Sequence, residues 1–199
     1  MRRTALVRIL VASSFTVLAL GACNRHPAGE TTPAVPAPAT TAPAAVASIA
    51  PVGAATFKGI GGAKFGMNSK ELQEAWNGPL QGPAPANLGD CHQLAADPAA
   101  PKALTLMIEG DKLVRYDVGS DMAAPGGGKL GMGIDQIRKL YAGRIREQPD
   151  KYVPGGIDLR VSADDDSGSA LVFQTDATGK VTSWRVGQPP AVDYVEGCS

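Results

Sequence analysis

The apolar and polar positions between residues 57 and 187 follow a pattern that occurs twice. Residues 64–67 read Lys-Phe-Gly-Met and residues 129–132 read Lys-Leu-Gly-Met, an offset of 65. After each copy, apolar side chains recur at intervals of three and four residues, which is typical of one helical face. These side chains are Leu72, Ala75 and Trp76 in the first copy and Ile137, Leu140 and Tyr141 in the second. We therefore predict two short, equivalent helices.

Polar residues mark where each predicted helix begins. Asn68 can cap the first helix, and Glu71 stands three residues further on, which is the spacing of a capping box. Gly133 and Gln136 occupy the same two places before the second helix. Turn-forming residues follow each helical stretch and predict its end.

Each predicted helix is followed by segments with the character of β-strands. The last two strands of each copy enclose a short polar turn, which predicts a hairpin. The final strand of the first copy, residues 112–119, matches residues 180–187 at an offset of 68. We predict strands at residues 91–94, 104–108, 112–119, 157–161, 170–175 and 180–187.

These elements predict an α+β fold built from two tandem helix-plus-antiparallel-hairpin repeats. Repeat one spans about residues 57–121 and repeat two about residues 125–187, followed by a C-terminal tail at residues 188–199. One unit of about 65 residues buries little apolar surface by itself. We therefore expect the two units to form one sheet that helices cover on one face.

The first 52 residues follow a different pattern. A basic start precedes a mostly apolar run at residues 9–20, which is shorter than the ~20 residues of a transmembrane helix and fits a signal peptide. Residues 27–51 are mainly Pro, Ala and Thr, and such a segment buries too little surface to offset its ordering entropy. We predict a signal peptide at residues 1–22, a disordered linker at 23–52 and a globular domain at 53–199.

The residues Leu-Gly-Ala-Cys at positions 20–23 resemble the lipobox of bacterial lipoproteins. The resemblance implies cleavage before Cys23 and a diacylglycerol on its thiol. It also implies a lipid-anchored protein in the cell envelope of a Gram-negative bacterium, and Asn24 after the cysteine favours the outer membrane, facing the periplasm. The alternative is an ordinary signal peptide with an accidental Cys23.

Two cysteines remain if Cys23 is acylated. An oxidising compartment favours a disulfide between Cys91 and Cys198, which would close a loop around most of the domain. Two buried free thiols are the alternative.

The repeated phrase of Gly-Met, capped helix and hairpin ending in Val-Gly resembles the repeat of BamE-like envelope lipoproteins. A tandem pair of this repeat is similar to the β-lactamase inhibitor protein fold. The similarity spans roughly residues 59–187 and implies a concave sheet that grips a partner protein. Related anchored lipoproteins act as immunity proteins against toxins in the periplasm. No inhibitor-specific loop can be matched here, so the identity of a target does not carry over.

Charge and chemistry exclude several functional classes. The segment from residue 52 onward carries 15 basic and 18 acidic residues without a basic stripe, which argues against nucleic acid as a partner. The chain has two histidines, His26 and His92, and no hydrolase, zinc or phosphate-loop motif. Cys91 and His92 are neighbours in a predicted strand and would point to opposite faces. We expect no enzyme activity, no cofactor and no metal site.

Two exposed segments are the candidate partner-binding residues. Lys151 and Tyr152 lie in a long Pro/Gly-rich loop, and an exposed tyrosine is a frequent interface anchor, although Tyr152 could instead fold back onto the sheet. Asp164, Asp165 and Asp166 could meet a cationic toxin or a lysozyme-like enzyme, although a solvated acidic loop is the simpler interpretation.

The sequence thus predicts an anchored lipoprotein that binds a protein partner, as an inhibitor or immunity protein against an envelope-targeting enzyme. A structural envelope or outer-membrane assembly factor is the alternative. A carbohydrate-binding module ranks last, because aromatic residues make up only 5% of the chain.

Overall fold

A computed structural model describes residues 53–87 and 89–198 of the chain. The predicted signal peptide, Cys23 and the linker lie outside the described residues. Within these two ranges, neither helix has the length or the apolar character of a transmembrane segment.

The described chain is mostly β-structure, with a three-stranded sheet, a seven-stranded sheet and two short helices. The small sheet has the order β1-β2-β3, and the large antiparallel sheet has the order β4-β5-β6-β10-β9-β8-β7. The elements are β1 Ala55–Thr56, β2 Gly59–Ile60, β3 Ala63–Lys64, α1 Ser69–Ala75, β4 His92–Ala95, β5 Leu104–Glu109, β6 Lys112–Val118, α2 Ile134–Leu140, β7 Ile145–Pro149, β8 Ile157–Ser162, β9 Ala170–Thr175, β10 Val181–Gly187 and a 3-10 turn at Ala191–Asp193.

Successive side chains of a strand point in opposite directions, so the sheet has two different faces. One face packs the main apolar cluster. The other, here called the polar face, carries the buried charged residues Arg115, Asp158 and Arg185 beside a small apolar cluster of Ala170, Val172 and Val192. Tyr116 and Trp184, on the central strands β6 and β10, meet edge to face in the core with ring centroids 6.0 Å apart. Strands β4 and β7 form the two edges of the sheet.

The prediction of an α+β fold with helices covering one face is wrong. Each helix has only seven residues and buries one side chain completely, Leu72 in α1 and Ile137 in α2. Two helices of about two turns cannot cover seven strands. The small sheet covers part of the apolar face instead, since Phe57, Ile60 and Ala63 belong to the same buried cluster.

The two Gly-Met segments make equivalent contacts in the two halves of the chain. In the first, the Lys64 N–H donates to the Met67 sulfur at 3.4 Å, and Gly66 and Met67 pair with Leu113 at the start of β6. The second copy has the corresponding bond from the Lys129 N–H to the Met132 sulfur at 3.2 Å. There Gly131 and Met132 pair with Val181, the first residue of β10. The boundaries of the two repeats stay a prediction.

A β-bulge changes which side chains of β10 face the core. The sequence predicts one alternation for the whole strand, with Val181 on the face opposite Trp184 and Val186. The pairing with β9 shifts register between Val181 and Ser183, and Val181 joins Trp184 and Val186 in the core. The extra residue at the bulge reverses the alternation on one side of it.

The C-terminal strap, residues 188–198, crosses part of the polar face. The Arg115 guanidinium donates to the main-chain oxygens of Ala191 at 3.1 Å and Tyr194 at 2.7 Å. The Arg185 Nε donates to the oxygen of Val192 at 2.7 Å. Because both arginines are almost fully buried, these bonds fix the path of the strap.

Candidate binding groove

A short segment, here called the edge loop (residues 80–85), lies against the outer side of β4. Gln81 and Ala95 exchange two main-chain hydrogen bonds of 3.0 Å and 2.6 Å. The next such position in an antiparallel pair is two residues on, which places Pro83 opposite Gln93. Proline has no N–H to donate. The pairing therefore ends after one bridge and the edge loop diverges from the strand.

Gly82 permits the close approach of the edge loop to β4. A Cβ atom at this position would lie 2.1 Å from the main-chain oxygen of Gln93. Any larger residue would push the edge loop away from the strand.

An open groove of about 1160 Å³ lies between the edge loop, helix α1 and β4. Its apolar wall consists of Leu80, Pro83, Pro85, Leu94, Pro98 and Pro101. Its polar side chains include Asn68, Ser69, Gln73, Gln81, His92 and Asp111. The groove therefore combines a rigid apolar wall with hydrogen-bonding side chains, and two of its residues, Lys70 and Asp111, are charged.

Asp111 ties the first turn of α1 to the turn between β5 and β6. Its carboxylate accepts hydrogen bonds from the Ser69 hydroxyl at 2.6 Å and from the Ser69 N–H at 3.1 Å. These bonds lower the pKa of Asp111, the hydroxyl bond most, and the charge of Lys112 contributes less. Asp111 adopts a left-handed backbone conformation with φ +53°, which aspartate tolerates better than most residues.

His92, on β4, is buried in the wall of the groove. Only 9% of the residue is exposed, and its Nδ1 atom is buried without a hydrogen-bond partner among the described residues. Its neighbour Cys91 is bonded to Cys198. Cys91 therefore has no free thiol that could act together with His92. The sequence singles out His92 only as a possible catalytic residue, and no local signal indicates that it lines a groove.

The predicted residues Lys151 and Tyr152 lie together beside the C-terminal strap. Tyr152 is 56% exposed, and its hydroxyl donates to the Glu196 carboxylate. The Lys151 Nζ lies 3.1 Å from the same carboxylate and 5.0 Å from the centre of the Tyr152 ring. The Asp150 carboxylate holds the loop by accepting the Tyr152 N–H at 2.7 Å.

The acidic residues lie at the opposite end of β8 from Tyr152, about 20 Å away for a strand of six residues. Asp164 is 3.0 Å from Arg144, and Asp166 is 2.7 Å from Lys58. The Lys58 ammonium lowers the pKa of Asp166. Two of the three acidic charges are therefore matched by cations of this chain.

The disulfide between Cys91 and Cys198 is present, as predicted. It joins the residue before β4 to the end of the C-terminal strap, 107 positions further along the chain. Within the part of the chain that the structure describes, no group of three or more His, Cys, Asp or Glu side chains could hold a metal ion.

Comparisons with known proteins identify no family. No family model and no curated protein matches the sequence. The chain is similar to the solved structure of the uncharacterized protein yfeY from Escherichia coli, at 14% identity over 68% of this chain and 99% of that chain, with a TM-score of 0.46. It is also similar to an extracellular protein containing a SCP domain from Bacillus anthracis, at 10% identity over 62% of this chain and 44% of that chain, with a TM-score of 0.42. At these TM-scores, neither similarity indicates a shared function.

Proposed function

We propose that this protein is a lipid-anchored lipoprotein of the bacterial envelope that binds a protein partner through the groove beside α1. The partner is an envelope-targeting enzyme or toxin, which the lipoprotein inhibits. The main support for this proposal is the groove. In this proposal the protein binds its partner and does not act as an enzyme.

The size and lining of the groove favour a polypeptide over a small molecule. Its volume of about 1160 Å³ exceeds the ~300–1,000 Å³ of typical small-molecule sites, and it is open along its length. Four prolines supply much of the apolar wall. Because proline fixes its backbone angle, this wall loses little conformational entropy when a partner binds.

Charge and compartment support the same proposal. The groove contains Lys70 and Asp111, one charge of each sign, and no basic row that would attract nucleic acid. The disulfide is consistent with an oxidising compartment such as the periplasm. The lipobox-like residues ending at Cys23 supply the anchor in this proposal.

A matched pair of substitutions tests whether partners occupy the groove. Ala84 and Ala86 are both exposed alanines of one segment, and of the two only Ala84 lines the groove. Ala84→Arg fills the groove with a charged side chain, whereas Ala86→Arg adds the same charge outside it. A photo-crosslinking amino acid at Gln73 in the full-length protein, in membranes of the native host, reports what the groove contacts.

We expect Gln73 crosslinks to an envelope hydrolase or toxin, whose activity falls when the full-length lipoprotein is added. Ala84→Arg should weaken this inhibition by about tenfold or more, ~1.4 kcal/mol of binding free energy, and Ala86→Arg should leave it unchanged. Equal inhibition by the two variants would contradict the groove as the site. Crosslinks confined to outer-membrane assembly components would contradict the inhibitor role.

A further inference from the structure

His92 is a buried polar residue whose hydrogen bonding is incomplete. Its Nδ1 atom is buried without a partner among the described residues, although the residue belongs to the wall of the groove. Buried polar groups in folded proteins nearly always have a partner, and an unpaired one lowers stability. A leucine in this strand position would carry no unpaired polar atom. Packing alone therefore does not explain why a histidine occupies this position.

The charged groups around His92 are already engaged. The Asp111 carboxylate is held by two hydrogen bonds from Ser69. The Lys70 ammonium, which also lines the groove, lies 3.9 Å from the Glu74 carboxylate on the same helix. A charged group of a bound partner would thus lose water without gaining a free counter-charge, which is costly. A neutral polar group avoids this cost.

An imidazole can bond a neutral partner group in more than one way. Histidine has two ring nitrogens, and in the neutral form one donates and the other accepts, so a hydroxyl or an amide can bond it in either direction. The last torsion of histidine is broad and roughly two-fold, so the ring can turn to present either edge to the groove.

We propose that His92 determines the specificity of the groove by hydrogen-bonding a neutral side chain, Ser, Thr, Asn or Gln, of a bound extended polypeptide segment. This inference rests on the proposed function, since it assumes that a polypeptide occupies the groove. The partner group completes the hydrogen bonding that the chain itself leaves open at His92.

Peptide selection tests the inference with a defined probe. Short random peptides displayed on phage are selected against the full-length protein in detergent micelles, and against Ala84→Arg, Ala86→Arg and His92→Leu. We expect the unmodified protein to enrich sequences with Ser, Thr, Asn or Gln at one fixed position. His92→Leu should bind these peptides about tenfold more weakly and should select apolar residues at that position. Its thermal denaturation midpoint should be equal or higher, because the unpaired nitrogen is gone.

The outcomes separate this inference from the proposed function. No enriched peptides, or the same peptides on Ala84→Arg as on Ala86→Arg, would contradict binding in the groove and the inference with it. Selection by His92→Leu of the same polar residue, or selection of Asp, Glu, Lys or Arg by the unmodified protein, would overturn the role of His92 alone. If His92→Leu lowers stability, the same peptide selection is repeated with His92→Asn. Retention of the polar preference by this hydrogen-bonding residue supports the inference, and its loss opposes it.

Discussion

Asp158, on β8, is a buried carboxyl group on the polar face of the sheet. Its Oδ1 atom has no hydrogen-bond partner among the described residues, and Arg185 lies 4.0 Å from its other oxygen. Burial raises the pKa of Asp158 above its ordinary value, and the nearby Asp150 acts in the same direction. The Arg185 charge and a hydrogen bond from Gln148 oppose this rise in pKa and only partly offset it.

Asp158→Asn should change how stability depends on pH. Between the ordinary pKa of Asp and the raised pKa of Asp158, the folded chain keeps a proton that the unfolded chain has lost. The free energy of unfolding of the unmodified protein therefore falls as pH rises through this window and then levels off. Relative to the unmodified protein, Asp158→Asn should be more stable at pH 7 than at pH 3.5.

Urea denaturation at a series of pH values measures this difference. Asp165→Asn is the control, since a hydrogen bond from Ser167 lowers the pKa of Asp165 and reverses the expected sign. A constant difference between Asp158→Asn and the unmodified protein from pH 3.5 to 7 would show that Asp158 titrates normally.

Predictability at the residue scale depends on how far apart the partners lie in sequence. The cap formed by Asn68 and Glu71 is local, and the predicted capping box is confirmed. The Cys91–Cys198 pairing was predictable because, once Cys23 is assigned to the lipobox-like motif, two of the three cysteines remain and allow one pairing. The environment of His92 was not predictable, because Ser69 and Asp111 come from two other parts of the chain.

The two helices are equivalent elements with different caps. In α1, the Asn68 side chain accepts the Glu71 N–H at 2.9 Å, and the Asn68 N–H donates to the Glu71 carboxylate at 2.8 Å. In α2, the Gly133 N–H donates to the Gln136 side chain at 2.9 Å, but glycine has no side chain to return the bond.

Substitutions at the two caps should therefore act in opposite directions. Asn68→Ala removes the side-chain acceptor and should lower the free energy of unfolding by about 1 kcal/mol. Gly133→Asn supplies the missing acceptor and should raise it by a few tenths of a kcal/mol, since an added Cβ meets no atom closer than 3.8 Å. Chemical denaturation of both variants checks this. Equal effects at the two positions would contradict the assigned caps.

At the scale of elements, long and regular strands were predictable and short or charged ones were not. Strand β9, Ala170–Thr175, has the predicted bounds, and β5 and β6 differ from prediction by one residue each. The two-residue strands β1 to β3 are too short to show a period. Strand β7, Ile145–Pro149, ends in proline and carries adjacent charges, so its composition resembles a loop.

At the scale of the molecule, the disulfide connects the edge strand β4 to the C-terminal strap. The strap is also held by Arg115, Arg185 and an ion pair between Arg160 and Asp193 of 2.7 Å.

The fold class was mispredicted at this scale because local periodicity reveals that a helix exists but not how much of a sheet it covers. The strap was predicted only as a tail, since its contacts with Arg115 and Arg160 join residues far apart in sequence.

Reduction of the disulfide should destabilise the whole domain. The chain-entropy model gives about 4–5 kcal/mol for a loop of this length. Urea denaturation with and without dithiothreitol measures the change. The double variant Cys91→Ala, Cys198→Ala should match the reduced protein and show no response to dithiothreitol. A denaturation midpoint unaffected by the reductant would mean that the sheet alone holds the strap.

The central position of β10 governs when the sheet can form. Strand β10 is the last strand in sequence, yet it lies between β6 and β9 and joins the two halves of the sheet. A chain that emerges amino-terminus first, from a ribosome or a secretion channel, can build hairpins early but cannot join them until β10 is free. Until then β6 and β9 expose unpaired edges, which favour association with other chains. Association with other chains is therefore avoided only if the segment that contains β10 is released soon after β9.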